Sequence, residues 1–168
     1  MKTDNKILAI FGDGQFPHKT SKYGKKKYKE ACASIVSFLK EVSPDRVYCI
    51  PDNTVSIMTA ILSLKLGVRT TLVSPFPGFF NVLKREDRRL LKYATHLSNN
   101  FVLMSEDHEG QGLEYVRDSI EFCVEVANGL AFLRSKKSED IFDSFVESIS
   151  DAEDEDGKTL FELVYDVK

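Results

Sequence analysis

Residues 6–14 read KILAIFGDG. A short, nearly continuous apolar run that breaks into Gly12-Asp13-Gly14 is the pattern of a strand covered on both faces and leaving its sheet through a turn. The period then changes. Tyr28, Ala31, Cys32, Ile35, Val36, Leu39 and Val42 recur at steps of three and four. That spacing predicts a helix over 22–42, stopped by Ser43-Pro44-Asp45.

The same pair of patterns repeats down the chain. RVYCI (46–50) is a second strand, closed by Pro51-Asp52-Asn53-Thr54. Residues 54–66 form a helix carrying Val55, Met58, Ile61, Leu62 and Leu66, with Gly67 as its carboxyl cap. RTTLVS (69–74) is a third strand, ended by Pro75-Phe76-Pro77-Gly78. Residues 84–97 form a charged helix with Leu90, Leu91, Ala94 and Leu97 on one side. NFVLM (100–104) is a fourth strand, 112–127 a helix, and 129–133 a fifth strand. On the 112–127 helix, positions 115, 118, 119 and 122 share one face and 113, 116, 120 and 123 another; one of the two is core.

The last quarter differs. Residues 138–150 have a helical face made by Ile141, Phe142, Phe145, Val146 and Ile149, DAEDEDG follows at 151–157, and TLFELVY (159–165) is a closing strand. From Glu139 to Asp156 there are nine acidic residues and no basic one, which reads as a solvated helix end and turn. Strand–helix alternation of this kind implies βαβ units. The expected fold is α/β: a Rossmann-like three-layer sandwich with a mainly parallel sheet and helices on both faces. The length of 168 residues suits one domain over 1–168.

Composition narrows the function. A formal net charge of -3 speaks against a protein built to coat nucleic acid. Cys32, Cys49 and Cys123 form no Cys-x-x-Cys pair and lie in apolar runs, as small buried hydrophobes in a reducing compartment do. His18, His96 and His108 lack ligand-spaced neighbours, so neither a metal nor a cofactor is expected. The opening MKTDNKILAIFGDG is too briefly apolar for a signal peptide, and no stretch approaches the roughly 20 apolar residues of a membrane span. A cytoplasmic protein without membrane partners is the expectation.

In an open α/β sheet, ligands bind outside the carboxyl ends of the strands. That rule collects Gly12, Asp13, Gly14, Gln15, Phe16, Pro17 and His18 after the first strand. It collects Asp52, Asn53 and Thr54 after the second, Ser74, Pro75 and Phe76 after the third, Glu106 after the fourth and Arg134 after the fifth. Glycines let backbone amides approach a ligand, and a helix start favours anions. The first loop is neither a G-x-G-x-x-G fingerprint, since position 17 is proline, nor a Walker loop. Any of Asp52, Asn53 and Thr54 can cap the helix that follows, and together a carboxylate, an amide and a hydroxyl can hold a ribose and a phosphate. Arg117 suits a phosphate or a surface ion pair. Lys19, Lys22, Lys25, Lys26, Lys27 and Lys29 beside His18 read as a solvated helix start.

The order of these pieces resembles the SLOG superfamily, a Rossmann-like group, and its YpsA-like branch above all. The stretches that carry the resemblance are ILAIFGDG (7–14), RVYCIPDNT (46–54), TLVSPF (71–76), LLKYAT (90–95), NFVLMSE (100–106), YVRDSIEFCVEVANGLAFL (115–133) and LFELVY (160–165). Where that family has a glycine-rich second loop, this chain has Pro51-Asp52-Asn53-Thr54; the PGGxGTxxE motif of the LOG enzymes is absent, so phosphoribohydrolase activity does not carry over. The resemblance implies a sensor-like fold for nucleotide-derived ligands, assembled as a homo-oligomer.

The leading expectation is therefore a binding module for a nucleotide, a cyclic nucleotide or an ADP-ribose-type signal, with nucleic acid disfavoured as a partner. Gly12, Asp13 and Gln15 approach phosphate or ribose, and Asp52, Asn53 and Thr54 hold ribose hydroxyls. Phe16 or Phe76 stacks on the base, and Arg117 or Arg134 offsets charge. Two alternatives stand beside it. One is an enzyme breaking an N-glycosidic bond, with Asp52 or Glu106 as the carboxylate. The other is an interaction scaffold that keeps the fold without the pocket.

Overall fold

The structure is a computed structural model that describes residues 6–13, 16–17, 22–75, 79, 83–98, 100–103, 112–135 and 159–165; at Asp13, Arg117, Arg134 and a few others it describes the backbone alone. Six strands, β1 (Ile7–Asp13), β2 (Arg46–Cys49), β3 (Arg69–Ser74), β4 (Asn100–Leu103), β5 (Gly129–Ser135) and β6 (Thr159–Tyr165), make one sheet in the order β4-β3-β2-β1-β5-β6. Every pairing is parallel. Among the described residues four helices join β1 through β5 in turn: α1 (Lys22–Val42), α2 (Thr54–Lys65), α3 (Arg85–Leu97) and α4 (Gly112–Val126). The fold is the expected Rossmann-like α/β sandwich. The helical reading of 138–150 and the acidic run after it lie outside the described residues.

Side chains alternate along each strand and bury both faces. Leu8, Ile10, Val47, Cys49, Leu72, Ala131 and Leu133 share a core with Ile35 and Leu39 of α1, Val55, Met58 and Ile61 of α2, and Leu91 and Ala94 of α3. On the other face Ala9, Phe11, Val73, Leu130 and Phe132 pack with Cys123 and Ala127 at the end of α4. Phe11 and Phe132 stack across β1 and β5 with centroids 5.7 Å apart. The division follows from handedness. The chain steps one way from β1 to β4, so right-handed crossovers put α1, α2 and α3 on one face. From β4 it returns past the whole row to lie beyond β1, which puts α4 on the other.

Local chemistry sets the element ends. Helix α2 closes in a Schellman motif: Val68 N–H donates to the Ser63 carbonyl at 3.0 Å and Gly67 N–H to that of Leu64 at 3.0 Å, with Gly67 at φ 79°. Packed between the sheet, α1 and α3, α2 is buried nearly all round. Its polar residues there turn inward on the backbone, Thr59 Oγ1 to the Val55 carbonyl at 2.7 Å and Ser63 Oγ to that of Thr59 at 2.8 Å. Helix α1 ends at Ser43, which takes φ 49° while its Oγ donates to the Lys40 carbonyl.

Three sequence expectations are corrected. Gly12 and Asp13 do not begin a turn; they extend β1 in register with Leu133 and Arg134 of β5. Leu97, expected on the apolar side of α3, is 40% exposed. On α4 the described buried positions are 119 and 123, followed by Ala127, a stripe that takes one residue from each expected set.

Candidate functional site

Strand order locates the site. The chain runs outward from β1 towards β4 on one side and from β5 towards β6 on the other, so the sheet's switch point lies between β1 and β5. In an open parallel sheet the carboxyl ends of two such strands are where a ligand crevice forms. Asp13 and Arg134 are direct register partners there. A carboxylate-bearing and a guanidinium-bearing residue thus stand side by side at the mouth.

The floor of the mouth is the contact between β1 and the start of α2. Gly12 N–H donates to Ser56 Oγ at 3.1 Å, and the Gly12 carbonyl accepts from Asn53 Nδ2 at 2.7 Å. A Cβ on Gly12 would stand 2.8 Å from Ser56 N, 2.8 Å from Ser56 Oγ and 2.9 Å from Val55 Cγ1. The glycine is required by this close approach of backbone to helix start. Both its polar groups are already engaged, so the expected role of its amide against a phosphate is corrected to one of packing.

Asn53 caps α2 by accepting Ser56 N–H on Oδ1 at 3.0 Å. Its Nδ2 also reaches Asp52 Oδ1, at 2.9 Å. One amide therefore ties the β2 exit, the β1 end and the helix start together. Thr54 Oγ1 donates to Asp87 Oδ1 at 2.6 Å, linking the first turns of α2 and α3. Asp87 is buried, and its charge favours the amino end of α3. Asp52 is exposed and faces solvent from the rim. Its negative charge raises the pKa of both Cys49 and Cys123 beneath, after the larger effect of their burial.

Among the remaining expected site residues, Phe16 is buried against the core, edge-on to Tyr28 with centroids 5.2 Å apart. At 4% exposure the Phe16 ring is part of the core rather than an open platform for a base. Pro75 is buried at the end of β3, two strands from the crevice. Gly14, Gln15, Phe76 and Glu106 lie outside the described residues, and Arg117 is placed on α4 by its backbone alone. Sequence reasoning missed Ser56 and Asp87. The Asn-x-x-Ser spacing of a capped helix start signals Ser56 in part. Nothing in the sequence marks Asp87 as the partner of a threonine so far upstream.

The fold and this crevice define an open, parallel α/β domain of the Rossmann-like class. No family model matches the chain, and no curated protein matches it. Among solved structures the chain is similar to DNA processing protein A (DprA) from Streptococcus pneumoniae, with a TM-score of 0.50 and 11% sequence identity over 93% of this chain and 58% of that one. The chain thus spans somewhat more than half of the pneumococcal protein. At that identity the likeness is one of fold, an α/β domain with a parallel sheet. Among the described residues no helix is long and apolar enough to cross a membrane.

Proposed function

We propose that the domain binds a nucleotide-derived small molecule at the β1–β5 crevice and acts as a sensor or a sequestering protein of the YpsA-like kind. One observation carries this reading: the switch point sets Asp13 beside Arg134, directly above a glycine-packed strand end. Arg134 offsets phosphate charge. Asp13 and the exposed Asp52 accept hydrogen bonds from ribose hydroxyls, and Asn53 holds the floor rigid beneath them. Gly14, Gln15 and Phe76 complete the expected ligand set, with Phe76 on the base. The protein is cytoplasmic and homo-oligomeric in this reading. The DNA processing in the name of the pneumococcal protein finds little support in a chain of net charge -3.

A thermal-shift panel of nucleoside monophosphates, cyclic nucleotides and ADP-ribose tests the proposal. A true ligand at about 100 times its dissociation constant adds about 2.7 kcal/mol of stability, a shift of several degrees. Flat melting curves across the panel favour the scaffold reading instead. A second reading, N-glycosidic cleavage, draws on Asp52, an exposed carboxylate oriented by Asn53 at the rim. Free base released from nucleoside monophosphates by the wild type, and not by Asp52→Asn, is its expected signature.

A further inference from the structure

The opposite edge of the sheet carries a second, unrelated feature. The amino ends of β1, β2 and β3 bound an open cavity of about 490 Å³ lined by Ile7, Asp45, Arg46 and Arg69. Arg46 and Arg69 are direct partners in the β2–β3 register. Side chains paired this way leave a parallel sheet on the same face, about 5 Å apart, and two like charges there repel. The ion pair formed among the described residues is Lys27–Glu30, which does nothing to neutralise them.

The cavity is also built to hold still. Arg46 Nη1 donates to Tyr48 Oη at 3.3 Å, with the guanidinium 6.0 Å from the centre of that ring. Tyr48 in turn packs edge-on against Phe122 of α4. Asp45 is held in the lining through one oxygen: its Oδ2 accepts the Lys6 N–H at 2.7 Å, while the Lys6 carbonyl accepts from the N–H groups of Asp45 and Arg46 at 2.8 and 3.2 Å. Two guanidiniums side by side, Arg46 held by Tyr48 and neither ion-paired among the described residues, make a receptor for a tetrahedral, doubly charged anion. The volume falls within the range of about 300–1,000 Å³ typical of small-ligand sites.

We propose that this cavity binds the phosphate group of a small phosphorylated metabolite through Arg46 and Arg69, with Asp45 accepting a hydroxyl of the same molecule. The site lies at the other end of the strands from the crevice, so it stands or falls independently of the function proposed above. Titration of the ¹⁵N-labelled protein with inorganic phosphate and with glycerol 3-phosphate tests it. The expected result is saturable shifts at the amides of Ile7, Asp45, Arg46 and Arg69, tighter for the ester. Arg69 is exposed, so Arg69→Gln keeps the fold and weakens binding about tenfold. Asp45→Asn removes the preference for the ester and keeps the phosphate. Unmoved amides at millimolar phosphate, or equal affinity in Arg69→Gln, overturn the proposal. An octathymidylate that binds these amides more tightly than glycerol 3-phosphate, with the same loss in Arg69→Gln, also overturns it and gives the site to single-stranded nucleic acid.

Discussion

At Gly12 a hydrogen is the one substituent that fits. A methyl group there meets a backbone nitrogen, a hydroxyl already hydrogen-bonded to the strand, and a buried valine. No flexible side-chain tip is available to yield, so Gly12→Ala is expected to cost about 1–3 kcal/mol, read as a lower urea midpoint. Ser43 is the converse case. It holds φ 49°, a region that costs an L-residue about 1–2 kcal/mol. Ser43→Gly should recover up to about 1 kcal/mol of that, less the lost Oγ bond to Lys40, and raise the melting temperature. The buried thiols set an alkaline limit. Burial first, then the charge of Asp52, moves Cys123 from 9.0 to about 12, and Cys49 is raised by the same causes with Cys123 added. Both are neutral in the fold and ionise more readily when unfolded. Their contribution is intact below pH 9 and is lost as the pH climbs from there towards 12. The urea midpoint of the wild type should fall over that window more steeply than that of Cys123→Ala; parallel curves would contradict the assignment.

At the scale of elements, the start of α2 is the joint on which the rim depends. Asn53→Ala removes a cap and leaves the Gly12 carbonyl without its side-chain donor, for a loss of about 2 kcal/mol. Asn53→Asp keeps the cap and should recover part of that loss, which separates the two contributions in denaturation curves. Thr54→Val keeps the shape and strips buried Asp87 of its donor, at about 1–2 kcal/mol. Element positions were legible in the sequence because both faces of the sheet are covered, so strands read as short apolar runs and helices as a change of period. The span of α1 over 22–42, of β3 over 69–74 and of β6 over 159–165 agrees with the reading residue for residue. Strand ends were not legible at β1. Glycine and aspartate read as a turn, yet pairing with β5 draws both into the ladder. The buried stripe of α4 was not legible either, since it depends on how a lone crossover helix lies across a sheet.

At the scale of the whole molecule, the alternation of elements announced a parallel sheet but not the order of its strands. Order is decided by where the chain reverses, and nothing local marks the return of α4 past the entire row. The reversal matters most for function, because it brings Asp13 next to Arg134 from positions far apart in the chain. It also leaves two opposed strand ends with different chemistry: the Asp13–Arg134 register pair at the carboxyl ends, and an arginine pair at the amino ends. The hydrogen bonding seen at the second loop serves the fold. Asn53 and Thr54 brace β1, α2 and α3, which leaves Asp52 as the exposed member.

The most direct measurement is hydrogen–deuterium exchange on the purified protein with and without ADP-ribose, cyclic nucleotides and nucleoside monophosphates at saturating concentration. Occupancy of the crevice predicts slowed exchange in peptides spanning 12–17, 52–56 and 133–136, with no change around Ile7, Arg46 and Arg69. Protection confined to that arginine edge, or exchange that no nucleotide alters anywhere, would contradict a ligand at the meeting of β1 and β5.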